Sequence, residues 1–116
     1  MTRILVADDN RQLVEMLRAM LEDAGYDVVC AGSGLAASAL LDKEEVDLLI
    51  LDVLMPGMSG DAVADLLRRS RPDLPVLLMT GDSGETFVPG TVYPVLRKPF
   101  SEHQLVEAVR QLLPSA

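Results

Sequence analysis

The sequence of 116 residues has few aromatic or redox-active residues: no tryptophan, two tyrosines, two phenylalanines, one cysteine and one histidine. The core must therefore be built from aliphatic side chains, which are abundant because hydrophobic residues form 49% of the chain. A single cysteine excludes an internal disulfide, and Cys30 is expected to be a small buried core residue. The single histidine, His103, is expected to face solvent, so the chain offers no Ser-His-Asp or Cys-His catalytic set.

Positive charge is also scarce, since 10 Lys and Arg residues stand against 18 Asp and Glu residues and give a net charge of −8. This composition argues against binding to DNA, RNA or an anionic membrane surface, because such partners need a basic footprint. No apolar run approaches the roughly 18 residues that span a bilayer, and the N-terminus lacks a signal-peptide pattern. We also expect no DNA-binding segment after the last predicted helix. We therefore expect a cytoplasmic protein without direct DNA binding and without membrane contact.

Five aliphatic runs alternate with amphipathic segments along the chain. Strands are predicted at 3–7, 27–31, 47–52, 75–80 and 93–97, and helices at 11–24, 34–44, 60–70 and 102–113. Ser33, Ser59 and Ser101 are placed to cap the last three helices, and Gln104 completes a capping box with Ser101. Runs without polar alternation indicate strands buried on both faces, and strands that alternate with helices form parallel sheets.

The predicted fold is a doubly wound, flavodoxin-like α/β domain over residues 1–116, with five parallel strands in the order 2-1-3-4-5. Residues 81–92 interrupt the pattern because they contain three glycines and a proline. We expect at most one helical turn there, around 85–88. The fourth helix of the fold is therefore expected to be short or absent.

Polar side chains stand at the carboxyl ends of the predicted strands, where ligands bind in parallel α/β sheets. Asp8 and Asp9 end the first strand, Asp52 the third and Thr80 the fourth, and Lys98 follows the fifth. Neighbouring carboxylates repel one another, and a hard divalent cation such as Mg²⁺ relieves that repulsion. The alternatives are that Asp8 or Asp9 caps the following helix, that Lys98 forms a surface salt bridge, and that Thr80 is an ordinary strand end.

Together these residue types indicate phosphoryl chemistry. An aspartate can attack phosphorus, a metal ion can neutralise charge, and an ammonium and a hydroxyl group can bind phosphoryl oxygens. The sequence has neither a Gly-x-x-x-x-Gly-Lys-Ser/Thr loop nor a Gly-x-Gly-x-x-Gly motif. Nucleotide binding therefore has no support.

Four motifs, ILVADDN, LLILDVLMPGMSG, VLLMTG and VLRKPF, resemble in order and spacing those of bacterial response-regulator receiver domains. The resemblance implies two-component signalling, in which Asp52 accepts a phosphoryl group from the phosphohistidine of a sensor histidine kinase or a histidine phosphotransfer protein. It also implies a downstream protein target, and a phosphoacceptor rather than an enzyme with a separate substrate.

The resemblance also assigns roles to the residues around Asp52. It implies a Mg²⁺ site with ligands from Asp9, Asp52, the Leu54 main-chain carbonyl and, through water, Asp8. It implies that Thr80 and Lys98 contact the phosphoryl group. A tight turn is needed to aim Lys98 at the site, and together with the resemblance it predicts a cis peptide bond before Pro99.

Two departures from the usual receiver pattern concern the segment before Lys98. The aromatic residue usual three positions before the lysine is Val95 here, and Tyr93 is two positions out of step. The segment after Thr80 is also short, as in the receiver subgroup that has Thr-Gly after the fourth strand and a degenerate fourth helix. Competing interpretations are a receiver-like module that acts without phosphorylation, a flavin carrier, and a Mg²⁺-dependent phosphohydrolase, which would need an acid in place of Leu54.

Overall fold

The computed structural model describes residues 2–52, 54–55, 58–80 and 93–113, and for residues 54, 55, 58–62, 66 and 70 it describes the backbone only. Seven strands are described: β1 Arg3–Ala7, β2 Asp27–Ala31, β3 Leu48–Asp52, β4 Leu54–Met55, β5 Met58–Ser59, β6 Val76–Thr80 and β7 Val95–Arg97. Four helices are described: α1 Arg11–Asp23, α2 Gly34–Lys43, α3 Gly60–Ser70 and α4 Glu102–Leu112.

Five of the strands form one parallel sheet in the order β2-β1-β3-β6-β7. The predicted order 2-1-3-4-5 of the parallel strands is therefore confirmed. The short strands β4 and β5 pair as an antiparallel hairpin directly after β3, which was not predicted because two residues leave no periodic pattern. The predicted short or absent fourth helix falls in 81–92, outside the described residues.

Hydrophobic side chains cover both faces of the sheet. All residues of β3 and β6 are buried, and successive side chains of a strand point to opposite faces. On one face, Leu49 and Leu51 pack in a cluster with α2 and α3, and we call this the α2–α3 face. On the other, Leu48 and Ile50 pack with α1 and α4, and we call this the α1–α4 face. The central strand that ends in Asp52 is therefore held from both sides.

The helix ends follow the capping rules closely. The Asn10 side chain accepts a hydrogen bond from Leu13 N–H and caps α1. At the other end of α1, Gly25 has a φ of 97°, and Tyr26 N–H donates to Leu21 C=O at 3.0 Å, the pattern of a glycine-terminated helix. The predicted caps at Ser33 and Ser101 are confirmed, the second as a capping box. The predicted cap at Ser59 lies on a side chain outside the described ones.

The predictions for Cys30 and His103 have different outcomes. Cys30 is half-buried rather than fully buried, because β2 is an edge strand of the sheet. Its Sγ accepts a hydrogen bond from Arg18 Nη2 at 3.3 Å, and burial raises the pKa of the thiol against the lowering effect of the Arg18 charge. His103 is exposed, as predicted. Among the helices of the described ranges, none is long and apolar enough to cross a membrane.

Candidate functional site

The predicted acidic residues meet at the carboxyl edge of the sheet. Ala7 of β1 lies beside Leu51 of β3 in the parallel register. The residues that follow them, Asp8 and Asp52, are therefore neighbours. One carboxylate oxygen from each of Asp8, Asp9 and Asp52 lies within 4.8 Å of the other two. Asp8 is 1% exposed and Asp52 is 8% exposed, whereas Asp9 is exposed. Two of the three charges are therefore shielded from water, and the third faces it.

A local turn fixes the direction of the Asp8 carboxylate. Its Oδ1 accepts a hydrogen bond from Asn10 N–H at 2.9 Å, and Asp8 N–H donates to Ala31 C=O at 3.1 Å. Asn10 in turn caps α1 through Leu13 N–H. The alternative that Asp8 or Asp9 caps this helix is therefore wrong. The capping asparagine was missed, although Asn directly before a helix is a preferred N-cap residue.

The Lys98 ammonium lies between the two shielded carboxylates. Its Nζ is 3.3 Å from Asp8 Oδ2 and 3.3 Å from Asp52 Oδ2. The Lys98 backbone is held at this edge, because its N–H group donates to Thr80 C=O at 2.7 Å. The peptide bond to Pro99 is cis, which agrees with the prediction. Both Nζ distances exceed the roughly 2.7–2.9 Å of a short charge-assisted hydrogen bond. The ammonium therefore bridges the carboxylates without being tightly held by either.

The surroundings of Asp8 shift the pKa of its carboxyl group, and burial has the largest effect. Burial raises the pKa of Asp8, and the neighbouring charge of Asp52 raises it further. The Asn10 N–H group and the Lys98 ammonium act in the opposite direction. Three carboxylates stand against one ammonium at this edge, and carboxylate oxygens are the hard ligands that a divalent cation such as Mg²⁺ prefers. The residues present fit such an ion.

The remaining predicted site residues lie around this cluster. Thr80 is buried at the end of β6, next to β3 in the sheet. The Leu54 backbone is held by pairing with Ser59 in the β4–β5 hairpin, two residues after Asp52. Val95, which stands where an aromatic residue is usual, is 43% exposed on β7. The structure thus brings together Asp8, Asp9, Asp52 and Lys98. Thr80 and Leu54 are placed near them by the strands to which they belong.

The contacts of Tyr93 were not predicted from the sequence. This residue lies two positions before β7. Its hydroxyl donates to Asp65 Oδ1 at 2.5 Å, and the Arg68 guanidinium lies over its ring with Cζ 5.7 Å from the centroid. Burial and the Asp65 hydrogen bond raise the pKa of the Tyr93 hydroxyl. The strand that carries Lys98 is therefore connected to helix α3 by an aromatic side chain.

A doubly wound parallel sheet with clustered carboxylates and a lysine at its carboxyl edge is the architecture of a phosphoacceptor signalling domain. The chain matches the family model described as the response regulator receiver domain over residues 4–110 and belongs to that family. This confirms the resemblance of the four sequence motifs.

Several proteins of known class are similar to the chain. The probable transcriptional regulatory protein TcrX of Mycobacterium tuberculosis is 38% identical over 114 residues, which cover 95% of this chain and 49% of TcrX. The transcriptional regulatory protein TctD of Salmonella typhimurium is 46% identical over 81 residues, which cover 70% of this chain and 36% of TctD. The crystal structure of the response regulator TrrA from Thermotoga maritima, in complex with Mg²⁺ and BeF, has a TM-score of 0.87 and 33% identity, with coverage of 97% of this chain and 100% of TrrA.

These relatives correct one prediction. The expectation of no direct DNA binding is wrong, because TcrX and TctD are named as regulators of transcription. The chain spans about half of the length of TcrX and less of TctD. The expectation rested on the charge of 116 residues, and the charge of one segment carries no information about contacts made by the rest of a longer protein.

Proposed function

We propose that the chain is the phosphoacceptor receiver of a two-component system and that Asp52 is the residue that is phosphorylated. The observation that carries the proposal is the Lys98 ammonium, 3.3 Å from both Asp8 and Asp52 at the carboxyl edge of the sheet. Asp52 is largely shielded and lies at the tip of β3, on the carboxyl edge of the sheet. A nucleophile beside a cation and a hydroxyl group is suited to phosphoryl transfer, which depends on positioning and charge neutralisation.

The proposed step is the transfer of a phosphoryl group from a phosphohistidine. An Asp52 carboxylate oxygen attacks phosphorus, an oxygen–phosphorus bond forms, and the phosphorus–nitrogen bond to the donor imidazole breaks. The imidazole keeps the electron pair of that bond and takes up a proton. The Lys98 ammonium and the Thr80 hydroxyl bind oxygens of the transferred group. Loss of the phosphoryl group to water returns the carboxylate, so the chain acts as an acceptor and not on a separate substrate.

Mg²⁺ is the proposed cofactor. Asp9, Asp52 and the Leu54 main-chain carbonyl would hold it, and Asp8 would do so through water. When bound, it neutralises the carboxylates and the negative charge of the phosphoryl oxygens. Two observations support this assignment: the three oxygens within 4.8 Å of one another, and the Mg²⁺–BeF complex of the similar protein TrrA.

The proposed partners follow from this chemistry. The donor is a sensor histidine kinase or a histidine phosphotransfer protein, and the receiver of the signal is a downstream protein target. The proposed location is the cytoplasm, where kinases draw on ATP. Residues 1–116 act in this proposal as one receiver unit.

The test is phosphorylation of the purified protein by a small-molecule phosphoryl donor with Mg²⁺. We expect the intact mass to rise by one phosphoryl group, and we expect beryllofluoride to shift the amide resonances of Asp52 and Thr80. Asp52→Asn should abolish both effects, because an amide is a poor nucleophile. Asp73→Asn makes the same chemical change at an exposed residue before β6, at the opposite edge of the sheet, and should behave like the unmodified protein.

Other outcomes would favour other functions. Repeated turnover of the phosphoryl donor, with release of inorganic phosphate that is lost in Asp52→Asn, would favour a phosphohydrolase. No response of the amide resonances to beryllofluoride or to a phosphoryl donor would contradict the proposal and favour a module that acts without phosphorylation.

A further inference from the structure

Tyr93, Asp65 and Arg68 form a cluster on the α2–α3 face of the sheet, away from the acidic site, and we call it the tyrosine cluster. The Tyr93 hydroxyl donates to Asp65 Oδ1 at 2.5 Å, the Arg68 guanidinium lies over the Tyr93 ring, and the ring packs against the core of this face. Arg68 is itself fixed, since its Nη2 donates to Pro72 C=O at 2.5 Å. The hydrogen bond to Asp65 and the contact with the Arg68 guanidinium are directional, so together with apolar packing they define the position of the Tyr93 side chain more narrowly than packing alone does.

The cluster joins the two elements that lead directly to the acidic site. Helix α3 begins at Gly60, after the short hairpin that follows Asp52. Strand β7 ends one residue before Lys98. A displacement of α3 relative to β7 must therefore either alter the contacts of Tyr93 or be resisted by them.

Strand β7 is weakly held between its two ends. It has three residues and lies at the edge of the sheet, with β6 as its one strand partner. Val95 and Arg97 are exposed, and Leu96 is partly buried. Leu96 and, beyond Lys98, Phe100 pack on the α1–α4 face. The polar side-chain anchors are Lys98 after the carboxyl end of the strand and Tyr93 before its amino end. Because the strand is short, a change at one anchor is transmitted to the other.

The Lys98 anchor must change when Asp52 is occupied. Its ammonium now bridges Asp8 and Asp52 at 3.3 Å to each. A phosphoryl group on Asp52 adds strong acceptor oxygens beyond the present carboxylate, and the ammonium moves to meet them. The backbone of Lys98, bonded to Thr80 C=O at 2.7 Å, carries that movement into β7 and its neighbour.

We propose that the tyrosine cluster responds to the acidic site: the hydrogen bond between Tyr93 and Asp65 weakens when a phosphoryl group, or beryllofluoride in its place, is bound to Asp52. This inference rests on the proposed function, since it needs Asp52 to be the acceptor. By reciprocity of coupling, loss of the hydrogen bond favours occupancy of Asp52.

The sequence has two tyrosines, so tyrosine labelled with carbon-13 at the ring ε positions gives an assignable pair of signals. Tyr26 is an internal control, because it packs on the α1–α4 face. With Mg²⁺ present, we expect the Tyr93 signal to shift during titration with beryllofluoride, in step with the Asp52 and Thr80 amides, while the Tyr26 signal stays in place. Tyr93→Phe keeps the ring and removes the hydroxyl, and it should bind beryllofluoride about fivefold or more tightly. Tyr26→Phe should leave the affinity unchanged.

An unchanged Tyr93 signal at a fully occupied site overturns the coupling and leaves the proposed function intact. Equal affinities of Tyr93→Phe and Tyr26→Phe overturn it as well. If the Asp52 and Thr80 amides do not respond to beryllofluoride, the proposed function fails, and the coupling fails with it.

Discussion

Replacing Lys98 by methionine removes the cation that bridges Asp8 and Asp52 and keeps a side chain of similar length. In the absence of Mg²⁺, two shielded carboxylates then face each other without a compensating charge. The fold retains its apolar core, because Lys98 is not part of either hydrophobic cluster. We therefore expect Lys98→Met to fold and to lose stability at neutral pH.

The expected size of the loss follows from the geometry. Unit charges 3.3 Å apart interact by about 5 kcal/mol at an effective dielectric constant of about 20. Removal of one partner from a buried ion pair destabilises by about 3–5 kcal/mol. Because the Lys98 side chain is 24% exposed, solvent screening reduces the effect. We expect a decrease of about 2–3 kcal/mol in the free energy of unfolding at pH 7.

The loss should depend on pH with a defined sign. Burial raises the pKa of Asp8 in the folded protein above its ordinary value of 3.8, so the folded state favours the protonated acid. The corresponding stabilisation is present below pH 3.8 and is lost as the pH rises through the raised pKa. Lys98 opposes this rise, so its removal raises the pKa further and enlarges the loss between acidic and neutral pH. In acidic solution, where Asp8 is protonated, Lys98→Met and the original protein should converge.

Urea unfolding followed by circular dichroism, in EDTA and at a series of pH values, measures these differences. Lys43→Met is the matched control, because Lys43 is the other lysine of the chain and is exposed at the end of α2. It should change the free energy by less than about 1 kcal/mol. The double variant Lys98→Met/Asp8→Asn should recover most of the loss, since it removes one of the two carboxylates that would otherwise face each other without a cation. Equal losses for the two lysine variants, or a loss that persists unchanged in acid, would refute the electrostatic explanation.

Three further predictions concern local packing, helix capping and thiol reactivity. Gly34→Ala should destabilise by about 1–3 kcal/mol, because its Cβ would lie 2.7 Å from Val63 Cγ2, whereas Gly32→Ala meets no atom within 4 Å and should be tolerated in thermal unfolding. Ser101→Ala should lose about 1 kcal/mol in the same assay, because it removes the hydrogen bond to Gln104 N–H in the α4 capping box. The raised pKa of Cys30 should make its alkylation by iodoacetamide at pH 8 slower than that of free cysteine, and a rate equal to free cysteine would contradict this environment.

The meeting of Asp8, Asp52 and Lys98 could be predicted because it depends only on strand order and strand ends. The half-buried state of Cys30 was missed, although the predicted order already puts the second strand at an edge of the sheet. Asn10 was missed as the N-cap of α1, because Asp8 and Asp9 were considered for that role instead. The contact between Tyr93 and Asp65 could not be predicted, since it depends on how far a helix and a strand approach each other, and no local pattern encodes that distance.

The ion pair between Lys98 and Asp8 spans 90 positions of the chain, and this separation has a consequence for folding. Contacts between distant positions form late, because the intervening chain must first be ordered. During synthesis, Asp8 and Asp52 leave the ribosome well before Lys98, so a growing chain holds the carboxylates without their cation. The last strand therefore completes the sheet and brings the lysine to the carboxylates in the same event. A nascent or truncated chain that lacks β7 has Asp8 and Asp52 but not the lysine that lies between them.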